Sequence, residues 1–214
     1  IVGLVEGVAE ATASVLKLVS GRLADRGWRP KRLVLAGYAA SNATRPLIGL
    51  ALGWPVVLAL RFLDRVGKGI RTAPRDAMIA GSTAPENRGR AFGFHRSMDH
   101  AGAIVGPLLA FWLLASGVPL GDVFLWSIVP GLLVIALIAL GLPPDAPALR
   151  APAPPPLAWR ALDVPLRRLV GAAALLAAAS VPEVFVVLWA RDAGLAVEWV
   201  PLLWAAASLA KMAI

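Results

Sequence analysis

Glycine, proline and charge clusters divide the sequence into seven apolar stretches, at about residues 1–21, 33–54, 55–79, 91–115, 123–142, 168–190 and 199–214. All but the last run for about twenty residues, and a helix of that length, rising about 1.5 Å per residue, crosses a hydrocarbon core about 30 Å thick. With 58% of residues hydrophobic and 16% charged, the chain carries more apolar surface than one soluble core of 214 residues can hide. It is also far too apolar to be disordered. The stretches are rich in Ala and Leu and show no sustained alternation, which argues against strands. The pattern predicts an all-α polytopic membrane protein.

Ile1 already lies inside an apolar run, and Ile214 stops about 16 residues into the last one, short of a span. The chain is therefore expected to be an internal piece of a longer protein, in which no signal peptide can be read. Residues 143–167 form the one clear linker, because proline at this density cannot continue a helix. The linker is expected to separate an N-terminal helical bundle, residues 1–142, from the start of a second bundle, residues 168–214.

The formal charge is +8, and its placement gives an orientation. Connections at 21–33, 80–90 and 143–168 carry 11 basic and 4 acidic residues, whereas those at 53–55, 116–122 and 190–198 carry 1 basic and 3 acidic. Alternate connections are positive, so the basic ones face the cytoplasm. Charge divided between such loops and membrane segments argues against nucleic acid as a partner. The absence of cysteine excludes disulfide frameworks and thiol nucleophiles, and two histidines are too few for a metal site. No cofactor is expected.

Ionisable groups in hydrocarbon are unfavourable by several kcal/mol, so they face a cavity, a partner or the bundle interior. In the third stretch Arg61, Asp64, Arg65, Lys68, Arg71, Thr72, Arg75 and Asp76 fall within an arc of about 140° on a helical wheel. Phe62, Leu63, Val66, Ile70, Ala73 and Ala77 cover the opposite face. Five basic and two acidic residues cannot all pair within that helix, even if Arg61 and Asp64 do. Acids on neighbouring helices or an anionic ligand must supply the balance. Gly67-Lys68-Gly69 lacks the preceding strand and the spacing of a phosphate loop, so its glycines are read as permitting close packing or bending.

Glu6, Glu10 and Lys17 share one face of the first stretch. Glu6 and Glu10 are one turn apart, so ionising both is unfavourable, and a carboxyl so placed can carry a proton. An alternative is that both simply neutralise the cationic stripe. In the fourth stretch His95 and Asp99 share a face, with Arg96 and His100 beside it, as a structural hydrogen-bonded pair or a proton relay. Gly102 and Gly106 form a small-xxx-small pair suited to close helix approach. Counting about ten residues from the membrane edges puts Glu10, Asp64 or Arg65, and Asp99 near the midplane, where transporters hold substrate and coupling ions. The uncharged stretch 123–142 is expected to face lipid. Glu183 follows Pro182, which can open a kink in the sixth stretch. Asn42 and Arg45 receive no role from the pattern.

Gly21-Arg22-Leu23-Ala24-Asp25-Arg26, followed by Arg29-Pro30-Lys31-Arg32, resembles the signature between the second and third helices of the major facilitator superfamily. That signature is a glycine, an Asp-Arg pair and a basic cluster at the cytoplasmic end of a membrane helix. Arg61-Phe62-Leu63-Asp64-Arg65-Val66-Gly67-Lys68-Gly69 is similar to the RFLQGxGAG-like pattern of the family's fourth helix, with Asp64, Arg65 and Lys68 where Gln, Gly and Ala are usual. The stretches GKGIRTAPRDAMIA and RGRAFGFHRSMDHAG look like a bacterial subgroup of uncharacterised members. Gly102, Gly106 and Pro107 match the antiporter signature of the fifth helix, whose closing Gly-Gly is Ala110-Phe111 here.

The resemblance implies two six-helix halves, incomplete in this chain, which would run from about the second to the eighth transmembrane helix. The halves would rock about a central site, with residues 143–167 as the cytoplasmic loop between them. Gly21, Asp25, Arg26, Arg29 and Arg32 would form a latch that balances inward- and outward-open states. The expected function is secondary active transport of a small solute across a bacterial cytoplasmic membrane, proton-coupled, by an exporter or an organic-anion carrier. Glu6, Glu10, Asp64 and Asp99 are the candidate proton carriers. Lys17, Arg61, Arg65, Lys68, Arg71 and Arg75 are the candidate substrate contacts. The expected partners are the solute, protons and the lipid bilayer, with the protein a monomer. A non-transporting sensor or scaffold on the same fold is the alternative. A membrane-embedded enzyme is not expected, because no HxxxH or DDxxD-type array is present.

Overall fold

Every regular element in the computed structural model, which describes residues 2–143, 159–179 and 184–212, is helical. The main helices are α1 (Val2–Asp25), α2 (Pro30–Ile48), α3 (Trp54–Gly81), α4 (Arg88–Ala115), α5 (Leu120–Trp126), α6 (Ile128–Gly141), α7 (Val164–Ala179), α8 (Val184–Asp192) and α9 (Val200–Met212). Three of them leave by the same device. At Gly27, Gly117 and Gly194 φ is +87°, +84° and +89°, the left-handed region that a residue with a Cβ enters at a penalty. The next residue's N–H then reaches back to the last helical turn, as Trp28 does to Leu23 O at 3.0 Å and Val118 to Leu113 O at 3.0 Å. Proline sits at the start of α2 and in the first turn of α3, where a missing N–H leaves nothing unpaired.

The first five apolar stretches correspond to α1, α2, α3, α4 and the pair α5–α6. The fifth starts at Leu120, earlier than expected, and is broken at Ser127. Pro130 has no N–H to offer the carbonyl of Trp126, so the helix steps there. The sixth stretch is covered by α7 and α8. The expected kink at Pro182, with Glu183, lies outside the described residues, as does most of the linker at 143–167.

Burial is inverted relative to a soluble protein. Many of the buried positions are small, among them Ala9, Ala13, Ser20, Gly37, Ser41, Thr44, Gly67 and Gly69, with Leu33, Val34, Pro46 and Pro74 as larger members. Leu132, Leu133, Leu137 and Leu140 point outward from α6, as expected of a lipid-facing stretch. Small residues at helix contacts and large apolar ones outside are what a bundle needs when lipid, not water, surrounds it. Two spans, Pro85–Ala115 and Leu120–Gly141, are long and apolar enough to cross a membrane by composition alone. The long helices α1, α2 and α3 miss that measure because of their charges.

Residues 67 and 69 set the packing of α3. A Cβ on Gly67 would lie 2.6 Å from Gly37 O, and one on Gly37 would lie 2.6 Å from Gly67 O, so α2 and α3 touch backbone to backbone. On the other side, a Cβ on Gly69 would lie 2.8 Å from Ala13 O of α1. Ser41 donates to Asp64 O at 3.1 Å and Ser20 to Gly69 O at 3.0 Å, fastening both contacts. The glycines thus allow close packing, one toward each neighbour. Behind α2, Asn42 Nδ2 donates to Gly131 O of α6 at 3.0 Å. Farther along the chain α4 pairs with α9, and Phe111 meets Trp199 with ring centroids 5.4 Å apart.

Gly67→Ala is expected to destabilise the full-length protein in detergent by about 1–3 kcal/mol, the usual penalty for overpacking. Gly81→Ala, where a Cβ meets nothing within 4 Å, should leave the thermal unfolding midpoint unchanged.

Candidate functional site

Helix α3 carries its polar stripe half-buried, while Phe62 and Leu63 on the other face are exposed. Because α3 lies between α1 and α2, the stripe takes its partners from both. Glu10 of α1 pairs with two cations at once: Lys68 Nζ donates to its Oε1 at 3.3 Å, and Arg65 Nε forms an ion pair 3.2 Å from the same oxygen. Arg45 of α2 reaches Asp64, with Nε 3.1 Å from Oδ1. Neutralisation is therefore between helices. Asp64 thus takes a cation from α2 that the sequence pattern did not assign to it, and Arg61 also has a partner.

One to three turns nearer the α3 C-terminus the chemistry changes. The Arg71 guanidinium lies over the Tyr38 ring of α2, 4.2 Å from its centroid, in a cation–π contact. Arg75 holds the adjacent Asp76 at 3.2 Å and comes to 4.0 Å from Asp99 of α4. His95 Nε2 stands 3.4 Å from the same Asp99 carboxylate, one turn away on α4. The pairing with Arg75 corrects the depth estimate. Arg75 is ten residues beyond Arg65, about 15 Å of helix rise, so Asp99 sits at a different level from Glu10 and Asp64. The three carboxylates do not converge at one depth.

Lys17, expected in the cavity set, makes no ion pair among the described residues. The side chain of Glu6 lies outside them. Arg45 and Tyr38 are the residues that sequence reasoning missed. Arg45 is an isolated cation in an apolar stretch, which signals a partner on another helix, and the cationic stripe contains only two acids.

Residues 1–214, the whole chain, match the Major Facilitator Superfamily. The chain belongs to that superfamily. Among curated relatives it is 42% identical over 115 residues to uncharacterised proteins of Mycobacterium bovis and Mycobacterium tuberculosis, covering 54% of this chain and 28% of each relative. It is 40% identical over 109 residues to an uncharacterised MFS-type transporter of Methanocaldococcus jannaschii, covering 51% of this chain and 27% of that protein. A multidrug resistance protein of Salmonella paratyphi B, MdtH, is 31% identical over 113 residues, 53% of this chain and 28% of its own length. These matches span little more than a quarter of each relative. No solved structure matches. Family membership and the two long apolar helices make this an integral membrane protein.

In the superfamily's loop signature, Gly21 lies against Ala73 of α3, 3.4 Å from where its Cβ would be. Asp25, Arg26, Arg29 and Arg32 make no ion pair among the described residues. Lys31 makes a side-chain contact from this loop: its Nζ donates to Ala139 O and Leu142 O at the end of α6. A cation on the final carbonyls of a helix complements its dipole. Gly102 and Gly106 face no described neighbour, since a Cβ at either would meet nothing within 4 Å. With Pro107, Gly106 lines an apolar cavity of about 630 Å³ between α4, α5–α6 and α9.

Arg45→Glu should lower thermal stability, and adding Asp64→Arg should restore most of the loss. A double-mutant cycle is expected to give a favourable coupling of about 0.2–1 kcal/mol, the range for a pair with one partner half-exposed.

Proposed function

We propose that the protein is a secondary active transporter that couples movement of a small solute to protons. The observation that carries this reading is Glu10, one carboxylate of α1 held by two cations of α3. Protonating Glu10 removes the charge that Arg65 and Lys68 share and weakens the tie between α1 and α3. The two cations must then find another anion, or the helices must shift. Either outcome links a proton to a change in global state, which is what coupling requires. Asp64 and Asp99 are further carriers of the same kind, each bound to an arginine that protonation would release.

In this reading residues 1–142 belong to one helical bundle and residues 168–214 begin a second, joined by the linker on the cytoplasmic side of a bacterial inner membrane. The family and the transporters among its relatives support transport as the activity. The similarity to a multidrug resistance protein favours the exporter reading, and the match of Gly102, Gly106 and Pro107 to the antiporter signature favours antiport. The cationic excess of α3 favours an organic anion as the solute. The loop containing Gly21, Asp25 and Arg26 would set the balance between states, with Lys31 fastening it to α6.

The test uses the full-length protein in proteoliposomes under an imposed pH gradient, with a panel of lipophilic dyes and small organic anions. Wild type is expected to drive uptake or efflux of a panel member. Glu10→Gln should lose gradient-driven flux by about tenfold or more while retaining downhill exchange, on the scale of one lost general proton carrier. Undiminished gradient-driven flux in Glu10→Gln, Asp64→Asn and Asp99→Asn alike would sink the proton assignment.

A further inference from the structure

The described acids facing the α3 stripe are all in use. Glu10 is taken by Arg65 and Lys68, Asp64 by Arg45, and Asp76 and Asp99 by Arg75, with His95 also on Asp99. Arg61 is engaged as well. Arg71 differs from these cations. It meets the face of the Tyr38 ring, and no carboxylate among the described residues lies within ion-pair distance of it. Its charged neighbours are Arg45, Asp64 and Arg75, and the single acid among them is already held by Arg45.

A guanidinium directs its N–H donors outward within its own plane, in a fork that matches a planar carboxylate or two oxygens of a phosphate. The Tyr38 ring lies 4.2 Å from the guanidinium carbon, and the donors that do not face the ring are left for something else. Arg75 meets the same tyrosine at its hydroxyl, which places a second positive charge close by. Arg71 lies 17 residues from Trp54 and ten from Gly81, about 25 Å and about 15 Å of helix rise, so this edge is well inside the span of α3. A charge at that depth is retained only where it is compensated or functional.

We infer that Arg71, stacked on Tyr38, is the recognition point for an oxyanion, a carboxylate or phosphate borne by the transported solute. This deepens the transport reading and rests on it for the word solute. The oxyanion site itself is separable from coupling. Solute recognition belongs to Arg71 and Tyr38 between α2 and α3, and proton carriage to Glu10 between α1 and α3. The same oxyanion chemistry is also available from a lipid phosphate, so the source has to be tested together with the site.

The experiment uses purified full-length protein with no proton gradient, labelled with phenylglyoxal and read by peptide mass spectrometry, with benzoate and inorganic phosphate as probes. Arg71 should label faster than the carboxylate-bound Arg65 and Arg75, and at least one probe should protect it relative to sodium chloride at equal ionic strength. Arg71→Lys keeps the charge but loses the fork, so the thermal stabilisation given by that probe should need about tenfold more of it. Tyr38→Phe keeps the ring face and should bind as wild type does, whereas Tyr38→Ala should bind more weakly. Labelling of Arg71 no faster than Arg65, absence of protection by both probes, or equal stabilisation of wild type and Arg71→Lys would overturn the site. Protection in lipid-free detergent assigns the oxyanion to a solute. Protection found only in nanodiscs containing phosphatidylglycerol would overturn that assignment in favour of a lipid. A negative result here leaves coupling through Glu10 standing, and a failed Glu10→Gln flux test leaves the Arg71 site standing.

Discussion

Two missing side chains, at residues 67 and 69, let α3 approach two helices at once. Successive residues of a helix are about 100° apart, so Gly67 and Gly69 look in nearly opposite directions. One meets the backbone of α2 at Gly37, the other the backbone of α1 at Ala13. Lys68 points between them, into the angle where Glu10 waits. The polar stripe follows from this geometry. Any side chain on the same face as Lys68 is delivered into the space enclosed by α1 and α2, and the apolar face is left to lipid. A methyl group at Gly67 would push α2 away and lengthen Arg45–Asp64, and one at Gly69 would push α1 away and lengthen the pairs to Glu10.

The stripe was legible in the sequence because the helical period alone decides which residues of one helix share a face. Its partners were not. Periodicity carries no information on how far one helix slides along another, so Arg45 and Tyr38 of α2 were invisible as partners although Arg45 stood out as an unexplained cation. The same gap misplaced Asp99. Counting from assumed membrane edges gives every helix the same frame, whereas α4 is offset and meets α3 near its C-terminal end. Gly102 and Gly106 illustrate the limit from the other side. A spacing suited to close approach leaves the partner unnamed, and a Cβ at either position meets nothing described within 4 Å. The break at Ser127, by contrast, was present in the sequence as Pro130 and was passed over because the stretch was uncharged.

The ion pairs have another property in common. With the exception of Arg75–Asp76 and His95–Asp99, each joins two different helices, and the carboxylate is the scarcer partner. Removing charge from a shared carboxylate therefore loosens a contact between rigid bodies, and the effect is larger where one acid serves two cations. The backbone contacts at Gly37–Gly67 and Ala13–Gly69 resist that loosening, because they carry no charge that protonation could remove.

The eight tryptophans are distributed unevenly along this architecture. Trp54, Trp112, Trp126, Trp189, Trp199 and Trp204 flank the α2–α3, α4–α5 and α8–α9 connections, at the acidic or uncharged end of the bundle, whereas only Trp28 and Trp159 lie near the basic connections. Trp54, Trp112, Trp126, Trp189 and Trp199 are exposed. Indole settles at the headgroup level of a bilayer. The near-ultraviolet emission of these 214 residues therefore comes mostly from one water–lipid boundary, and it registers hydration and lipid order there while remaining almost blind to the charged stripe of α3.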